Sequence, residues 1–90
     1  MNILLVEDAV IVRAYLGKYL RELGHEVTSC ADAETALHTY QQTFYPLIIL
    51  DLGLPGMDGF EFCRRIQALP HRERSMILVI TADDDRKTLQ

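Results

Sequence analysis

The sequence lacks the basic clusters that nucleic-acid-binding surfaces need. Its 90 residues carry 9 Lys and Arg against 13 Asp and Glu, so the formal net charge is -4. The nearest approach to a basic cluster, Arg72 and Arg74, is interrupted by Glu73. Because tight binding requires several phosphates to be neutralised together, we expect no direct contact with nucleic acid.

Cysteines and long apolar runs are also scarce. The two cysteines, Cys30 and Cys63, are far apart and fit no spacing typical of metal or redox sites. We interpret both as small buried apolar side chains in a reducing cytoplasm. No apolar run approaches 18 residues, and Met1-Asn2 leads straight into a short apolar segment. The sequence therefore indicates neither export nor membrane insertion, and we expect a cytoplasmic protein.

What the chain does contain is an alternation of strand-like and helix-like segments within a length that suits one domain. Segments of strand length lie at residues 3–6, 26–30, 47–50 and 76–80. Gly24 is a suitable cap for the end of the first helix and Asp32 for the start of the second. The apolar positions with helical spacing are Val12, Leu16, Tyr19, Leu20 and Leu23, then Ala33, Ala36, Leu37 and Tyr40, then Phe62, Cys63, Ile66 and Leu69.

This alternation predicts an α/β fold with a parallel sheet, right-handed crossovers and helices on both faces. The wholly apolar run at residues 47–50 is typical of a strand that is buried on both faces. In such sheets, functional groups gather beyond the carboxyl ends of the strands.

Acidic side chains follow two of the predicted strands. Glu7 and Asp8 end the first strand, and Asp51 ends the third. Structural roles explain some acids of this region, because Asp8 could cap the first helix and Asp58 could serve its turn. Asp51 follows a central apolar strand, where an unpartnered charge is costly. A hard divalent cation such as Mg²⁺ is the obvious partner, since it prefers oxygen ligands.

Three segments together resemble the receiver domain of bacterial two-component response regulators: residues 3–8, residues 47–59 and residues 77–82. Each falls at the end of a predicted strand, and together they span nearly the whole chain. The resemblance implies a flavodoxin-like, doubly wound parallel sheet with strand order 2-1-3-4. It also implies a signalling domain that is not an enzyme.

The resemblance assigns roles to individual residues. Asp51 would accept a phosphoryl group from a sensor histidine kinase or a phosphotransfer protein. Asp8 and Asp51 would bind Mg²⁺ directly, Glu7 would help through water, and Gly53 would contribute its backbone carbonyl. The switch would be Thr81, whose hydroxyl turns toward the phosphoryl group, next to the small residue Ala82.

The chain departs from the family pattern at its end. Receivers normally continue through a fifth strand and a final helix, which supply a lysine for the phosphoryl group, and neither Lys18 nor Lys87 lies in a matching place. We therefore expect residues 1–90 to form one receiver domain that is incomplete at its carboxyl end, with impaired phosphorylation. We also expect an exposed edge on strand four that permits self-association. Whether the short chain is natural or a piece of a longer regulator remains open.

The sequence allows two other functional interpretations. Phosphatases with an aspartate nucleophile usually place a second acid two residues later, and here that position is Gly53, which disfavours this class. A receiver-like interaction module that is not phosphorylated in this short form stays an alternative. The remaining candidates are interpreted structurally: His25, His38 and His71 as surface residues, Tyr15 with Tyr19 and Phe60 with Phe62 as packing pairs, and Arg64-Arg65 as a solvated helix face.

Overall fold

The computed structural model describes residues 1–54, 56–69 and 75–80. Strands and helices alternate along these residues, as the sequence predicts. Among them no helix is long and apolar enough to cross a membrane. The elements are β1 (Asn2–Val6), α1 (Val10–Glu22), β2 (Glu26–Cys30), α2 (Ala33–Gln42), β3 (Leu47–Asp51), α3 (Gly59–Gln67) and β4 (Met76–Ile80).

The four described strands form one parallel sheet in the order β2-β1-β3-β4, which confirms the predicted order. β1 and β3 are the inner strands, and their apolar side chains are almost fully buried, except for the half-buried Leu47. This burial explains why both strands are continuous apolar runs rather than alternating ones. Because all strands are parallel, their carboxyl ends, including Val6 and Asp51, lie along one edge of the sheet.

The two faces of the sheet are covered unequally. On one face, α2 and α3 enclose a cluster of twelve buried residues: Leu4, Val6, Cys30, Ala33, Ala36, Tyr40, Tyr45, Ile48, Leu50, Leu54, Phe62 and Ile66. On the other face, within the part of the chain that the structure describes, α1 covers a cluster of three buried residues, Ile3, Leu5 and Ile49, with Leu16 and Leu20 packed against them. The larger core therefore lies on the side of α2 and α3.

α1 turns a different face to the sheet than its apolar stripe predicts. Leu16 and Leu20 pack inward, but Tyr19 is 53% exposed and Leu23 is 58% exposed. The buried face of α1 is centred on Gly17, the one fully buried residue of the helix. A Cβ atom at Gly17 would lie 3.2 Å from the Arg21 guanidinium but at an ordinary contact distance of 3.7 Å from Ser29 Oγ, so the small residue mainly leaves room for Arg21, which donates to the Val27 carbonyl of β2 at 3.1 Å.

The cysteines and the cap of α2 follow the sequence predictions, whereas the tyrosines of α1 do not. Cys30 is buried and Cys63 is half-buried against the larger core, as expected, and burial raises the pKa of both thiols. Asp32 caps α2 by accepting a hydrogen bond from the Thr35 backbone N–H at 2.7 Å. The packing role predicted for Tyr15 and for its helix partner Tyr19 is wrong, since both are more than half exposed.

The packing prediction for Phe60 is likewise wrong. Phe60 is exposed, while Phe62 is fully buried, because neighbouring helix positions two residues apart point to different faces. Arg64 and Arg65 are exposed as expected, and both pair with Glu61 of the same helix. His38 is exposed, His25 is half-buried beside the amino terminus, and His71 lies outside the described residues.

Candidate functional site

Three carboxylates meet at the edge formed by the carboxyl ends of the strands. Glu7 and Asp8 directly follow β1, and Asp51 is the last residue of β3. One oxygen from each lies within 4.8 Å of the others. Glu7 is only 3% exposed, Asp51 is half-buried and Asp8 is exposed, so the cluster reaches from the sheet edge to the surface.

Glu7 is oriented by contacts with the following turn. Its side chain accepts a hydrogen bond from the Ala9 backbone N–H at 3.1 Å. Its own backbone N–H donates to the Cys30 carbonyl at 3.0 Å, which extends the pairing of β1 with β2. The Glu7 carboxylate is therefore held inside the edge of the sheet rather than free in solvent.

Burial raises the pKa of Glu7 above its ordinary value of 4.5. The hydrogen bond from the Ala9 backbone N–H lowers the pKa of Glu7 and so opposes this shift. Three causes add to the shift: the negative charge of Asp51, a hydrogen bond between the Glu7 and Asp51 side chains, and the charge of Asp8. A raised pKa is the signature of a carboxylate whose negative charge is not compensated by its surroundings. Among the described residues, none of the ion pairs includes Glu7, Asp8 or Asp51.

Asp51 is fixed by the loop that follows it. The Gly53 backbone N–H donates to Asp51 Oδ1 at 3.0 Å, so the peptide two residues later orients the carboxylate. The loop ends at Asp58, whose carboxylate caps α3 by accepting a hydrogen bond from the Glu61 N–H at 2.8 Å. The role of Asp58 is thus that of a helix cap.

The capping interpretation of Asp8 is wrong. The residue at the N-cap of α1 is Ala9, and no side chain caps this helix. Since Asp8 is not used by the helix, its carboxylate is available to the cluster. The other two residues assigned to the site from the sequence, Thr81 and Ala82, lie outside the described residues.

One neighbour of the cluster, Arg13, was not anticipated. It lies in the first turns of α1, and its guanidinium donates to the backbone carbonyls of Glu7 at 2.8 Å and Asp8 at 3.3 Å. It therefore ties the helix to the turn that carries both acids. A usable signal was present in the sequence, because a cation near a helix N-terminus is unfavourable without a compensating acceptor.

A second unanticipated residue is Glu34, on α2. Its side chain accepts a hydrogen bond from the Met57 backbone N–H at 3.3 Å, across 23 positions of sequence. No spacing rule connects the first turn of α2 with the loop after β3, so this contact had no signal in the sequence.

Comparison with known proteins identifies the family. The family model for the response regulator receiver domain matches residues 3–90. The chain belongs to the response regulator receiver family. The match covers almost the whole chain and includes every residue of the acidic cluster.

Relatives of this receiver include response regulators and solved receiver structures. The chain is 38% identical over 91% of its length to the two-component response regulator PhoP of Pseudomonas aeruginosa, of which it covers 36%. It is 35% identical, with a TM-score of 0.86, to the receiver domain of the sensor histidine kinase PA1611 from the same species. That comparison covers 96% of this chain and 73% of the other, whose crystal structure has a magnesium ion coordinated in the active site cleft.

A second similar structure is that of the response regulator TrrA of Thermotoga maritima in complex with the histidine kinase ThkA. The identity is 32% and the TM-score 0.81, with 90% of this chain and 68% of that chain covered. The chain spans between 12% and 36% of the length of the first three curated relatives that it matches. Phosphorelay signalling and Mg²⁺ binding are typical of this receiver family.

The donor set of this receiver fits a Mg²⁺ ion. All three grouped side chains are carboxylates, the hard oxygen ligands that Mg²⁺ prefers. The buried position of Glu7 and its raised pKa show negative charge that a divalent cation would compensate. The residues that would hold the ion are therefore Glu7, Asp8 and Asp51.

Proposed function

We propose that this receiver domain accepts a phosphoryl group on Asp51 in a Mg²⁺-dependent reaction. The observation that carries the proposal is the grouping of Glu7 and Asp8 with Asp51, one oxygen of each within 4.8 Å, at the carboxyl edge of the sheet. Asp8 and Asp51 would bind the ion directly, Glu7 through water, and Gly53 through its backbone carbonyl. A cytoplasmic location accompanies this function.

The chemistry assigned to Asp51 is a phosphoryl transfer. A carboxylate oxygen of Asp51 attacks the phosphorus of a phosphohistidine, the P–N bond breaks, and the imidazole nitrogen keeps the electron pair. The product is an acyl phosphate on Asp51. Such transfers depend mainly on positioning and on neutralising negative charge, and a bound Mg²⁺ would supply that neutralisation. The Gly53 N–H orients the nucleophile by holding Asp51 Oδ1.

The proposed signalling step uses residues beyond β4. The phosphoryl group on Asp51 would recruit the hydroxyl of Thr81, with Ala82 leaving space beside it. A new dianionic group that attracts a nearby hydroxyl is a local change able to bias the surrounding surface. In this interpretation the domain switches between two states and does not act as an enzyme with repeated turnover.

The central test is labelling with a small acyl phosphate donor in Mg²⁺, followed by intact mass spectrometry. Wild type should gain a single phosphoryl group at partial occupancy, in line with the impaired phosphorylation expected from the sequence, and Asp51→Asn should gain none. Asp58→Asn is the matched control, because asparagine also caps helices and Asp58 lies outside the carboxylate cluster. Labelling of Asp51→Asn to the wild-type level would refute the proposal.

Measurements of Mg²⁺ binding and of phosphate release, made beside the labelling experiment, separate the alternatives. A chain that binds Mg²⁺ but takes no label would be a receiver-like interaction module that is not phosphorylated in this form. A chain that steadily releases phosphate from phosphate esters would be an aspartate-nucleophile phosphatase.

A histidine kinase is the proposed partner, as ThkA is for TrrA. Exposed apolar side chains lie on α1 directly after Asp8: Val10, Ile11 and Tyr15 are each at least 67% exposed. Grouped exposed apolar residues mark interaction surfaces. Ile11→Asp should slow transfer from a phosphorylated kinase domain while leaving labelling by the small donor unchanged. Equal slowing of both reactions would show that Ile11 does not act through docking.

We also propose that the edge of β4 pairs with a second copy. Among the described strands β4 lies at the edge of the sheet, with Met76 68% and Leu78 51% exposed. Residues 76–80 contain no charge and no proline, the usual protections of an edge strand. Two such strands can pair antiparallel about Leu78 without burying a charge.

Sedimentation velocity over a range of concentrations tests this pairing. Wild type should become dimeric as the concentration rises, and Leu78→Lys should stay monomeric. Phe60→Lys is the control, since Phe60 is even more exposed than Leu78, at 69% against 51%, but lies on α3. Wild type that stays monomeric at the highest concentration would refute the pairing.

A further inference from the structure

The loop between β3 and α3 is held by three polar contacts and one apolar contact. At its start, the Gly53 N–H donates to Asp51 Oδ1, and at its end Asp58 caps α3. In between, Leu54 is buried in the larger core. The third polar contact comes from another element: Glu34 Oε2, in the first turn of α2, accepts the Met57 N–H at 3.3 Å.

Gly56 makes the close approach of Glu34 feasible. Its φ of +74° lies in the left-handed region that favours glycine. A Cβ atom at this position would lie 3.3 Å from Glu34 Oε2 and 3.8 Å from Oε1. The absent side chain therefore leaves room for the carboxylate against the loop backbone, and the loop and Glu34 fit each other at two adjacent residues.

We propose that Glu34 is a positioning residue for the metal site. The Glu34 carboxylate holds the loop at Gly56 and Met57. Because Gly53 lies only three residues before Gly56, this contact also restrains the Gly53 N–H that orients Asp51. This inference rests on the proposed function of Asp51 and of the Gly53 carbonyl. It also links α2 to the site, because a shift of α2 would move the acceptor of the Met57 N–H. The contact is polar and exposed, so its loss should loosen the loop without unfolding the domain.

The experiment compares wild type with Glu34→Ala and Glu34→Gln by calorimetric titration with MgCl₂. Glu34→Ala should weaken Mg²⁺ binding about two- to fivefold, the range expected for one exposed hydrogen bond. Glu34→Gln keeps an acceptor oxygen and should bind within about twofold of wild type. Glu22→Ala, which removes an exposed glutamate from the end of α1, is the control and should leave Mg²⁺ affinity unchanged.

A second readout needs no metal. Amide hydrogen exchange at Met57 should be faster in Glu34→Ala than in wild type or Glu34→Gln, with a smaller increase at Gly53. If Glu34 had a purely structural role, Glu34→Ala would lower the melting temperature and speed amide exchange throughout α2. The Mg²⁺ affinity would then stay unchanged. Unchanged exchange at Met57 in Glu34→Ala would overturn the inference.

The failure of this inference can be told apart from the failure of the proposed function. If Asp51→Asn binds Mg²⁺ as well as wild type, the metal site itself is wrongly assigned. If Asp51→Asn loses Mg²⁺ binding but Glu34→Ala keeps wild-type affinity, the site stands and the role of Glu34 is refuted. Gly56→Ala adds a check: because its Cβ would meet the Glu34 carboxylate, its effect on Mg²⁺ affinity should be smaller in a Glu34→Ala background.

Discussion

Replacing Glu7 with glutamine should stabilise the metal-free protein, although Glu7 belongs to the site. Two unit charges no more than 4.8 Å apart repel by at least about 3.5 kcal/mol at an effective dielectric constant of about 20. The exposed Asp8 contributes much less than this, because water screens it. Glutamine removes the charge that this repulsion acts on and keeps an oxygen for the Ala9 N–H. We expect a net gain of about 1 kcal/mol, which raises the melting temperature by about 4–8 °C.

The pH dependence of stability has a definite sign. Since the pKa of Glu7 is raised in the folded state, the folded protein keeps this proton where the unfolded chain has released it. The stability from this group is fully present below its ordinary pKa of 4.5 and is lost as the pH rises through the folded value. Metal-free wild type should therefore gain stability as the pH falls toward 4.5, and Glu7→Gln should gain less. Asp32 acts in the opposite direction but only at lower pH, because capping lowers its pKa below 3.8.

Adding Mg²⁺ should reverse the order of the two proteins. A ligand present at about 100 times its dissociation constant stabilises the folded state by about 2.7 kcal/mol. Wild type should gain this increment and Glu7→Gln only part of it, so the variant melts higher in EDTA and lower in saturating MgCl₂. Thermal melts followed by circular dichroism measure both conditions, with Glu26→Gln, at the start of β2, as the control. A variant that melts below wild type in EDTA at neutral pH would refute repulsion as the dominant effect.

Three further substitutions test the fold. Asp32→Ala removes the cap of α2 and should lower the urea midpoint. Phe62→Ala leaves a cavity in the larger core and should cost about 3–5 kcal/mol, enough to abolish a cooperative thermal transition, while Phe62→Leu should keep one. Tyr45→Phe loses the hydroxyl that donates to Thr28 Oγ1 at 3.1 Å and should cost about 1 kcal/mol in the same urea assay; no loss would show that this bond is replaced by water.

Much of the fold was predictable because inner parallel strands have a strong sequence signal. The apolar runs that form β1 and β3 are followed at once by Glu7 and Asp51, so strand ends and acids were found together. Their meeting at one edge then follows from the parallel arrangement alone. The strand order came from the family resemblance, since alternation by itself does not say which strands are neighbours.

The remaining features depend on contacts between elements. Helical spacing predicts that α1 has an apolar stripe, but the packing of Leu16 and Leu20 against the smaller cluster decides which part of the helix faces the sheet. The contact from Glu34 to the loop likewise depends on where α2 lies relative to α3. Asp58 was assigned to a turn because turn and cap use the same residue types, and only the bond from the Glu61 N–H distinguishes them.

The unequal covering of the sheet implies that the domain does not open uniformly. α1 rests on a small cluster, whereas α2 and α3 share a core that contains Phe62 and Ile66. Sub-global opening should therefore begin with detachment of α1 at a free energy below that of global unfolding. Because Arg13 ties α1 to the carbonyls of Glu7 and Asp8, this opening would release both acids while β3 stays in place. The lifetime of a bound cation would then be set by how often α1 detaches from the sheet.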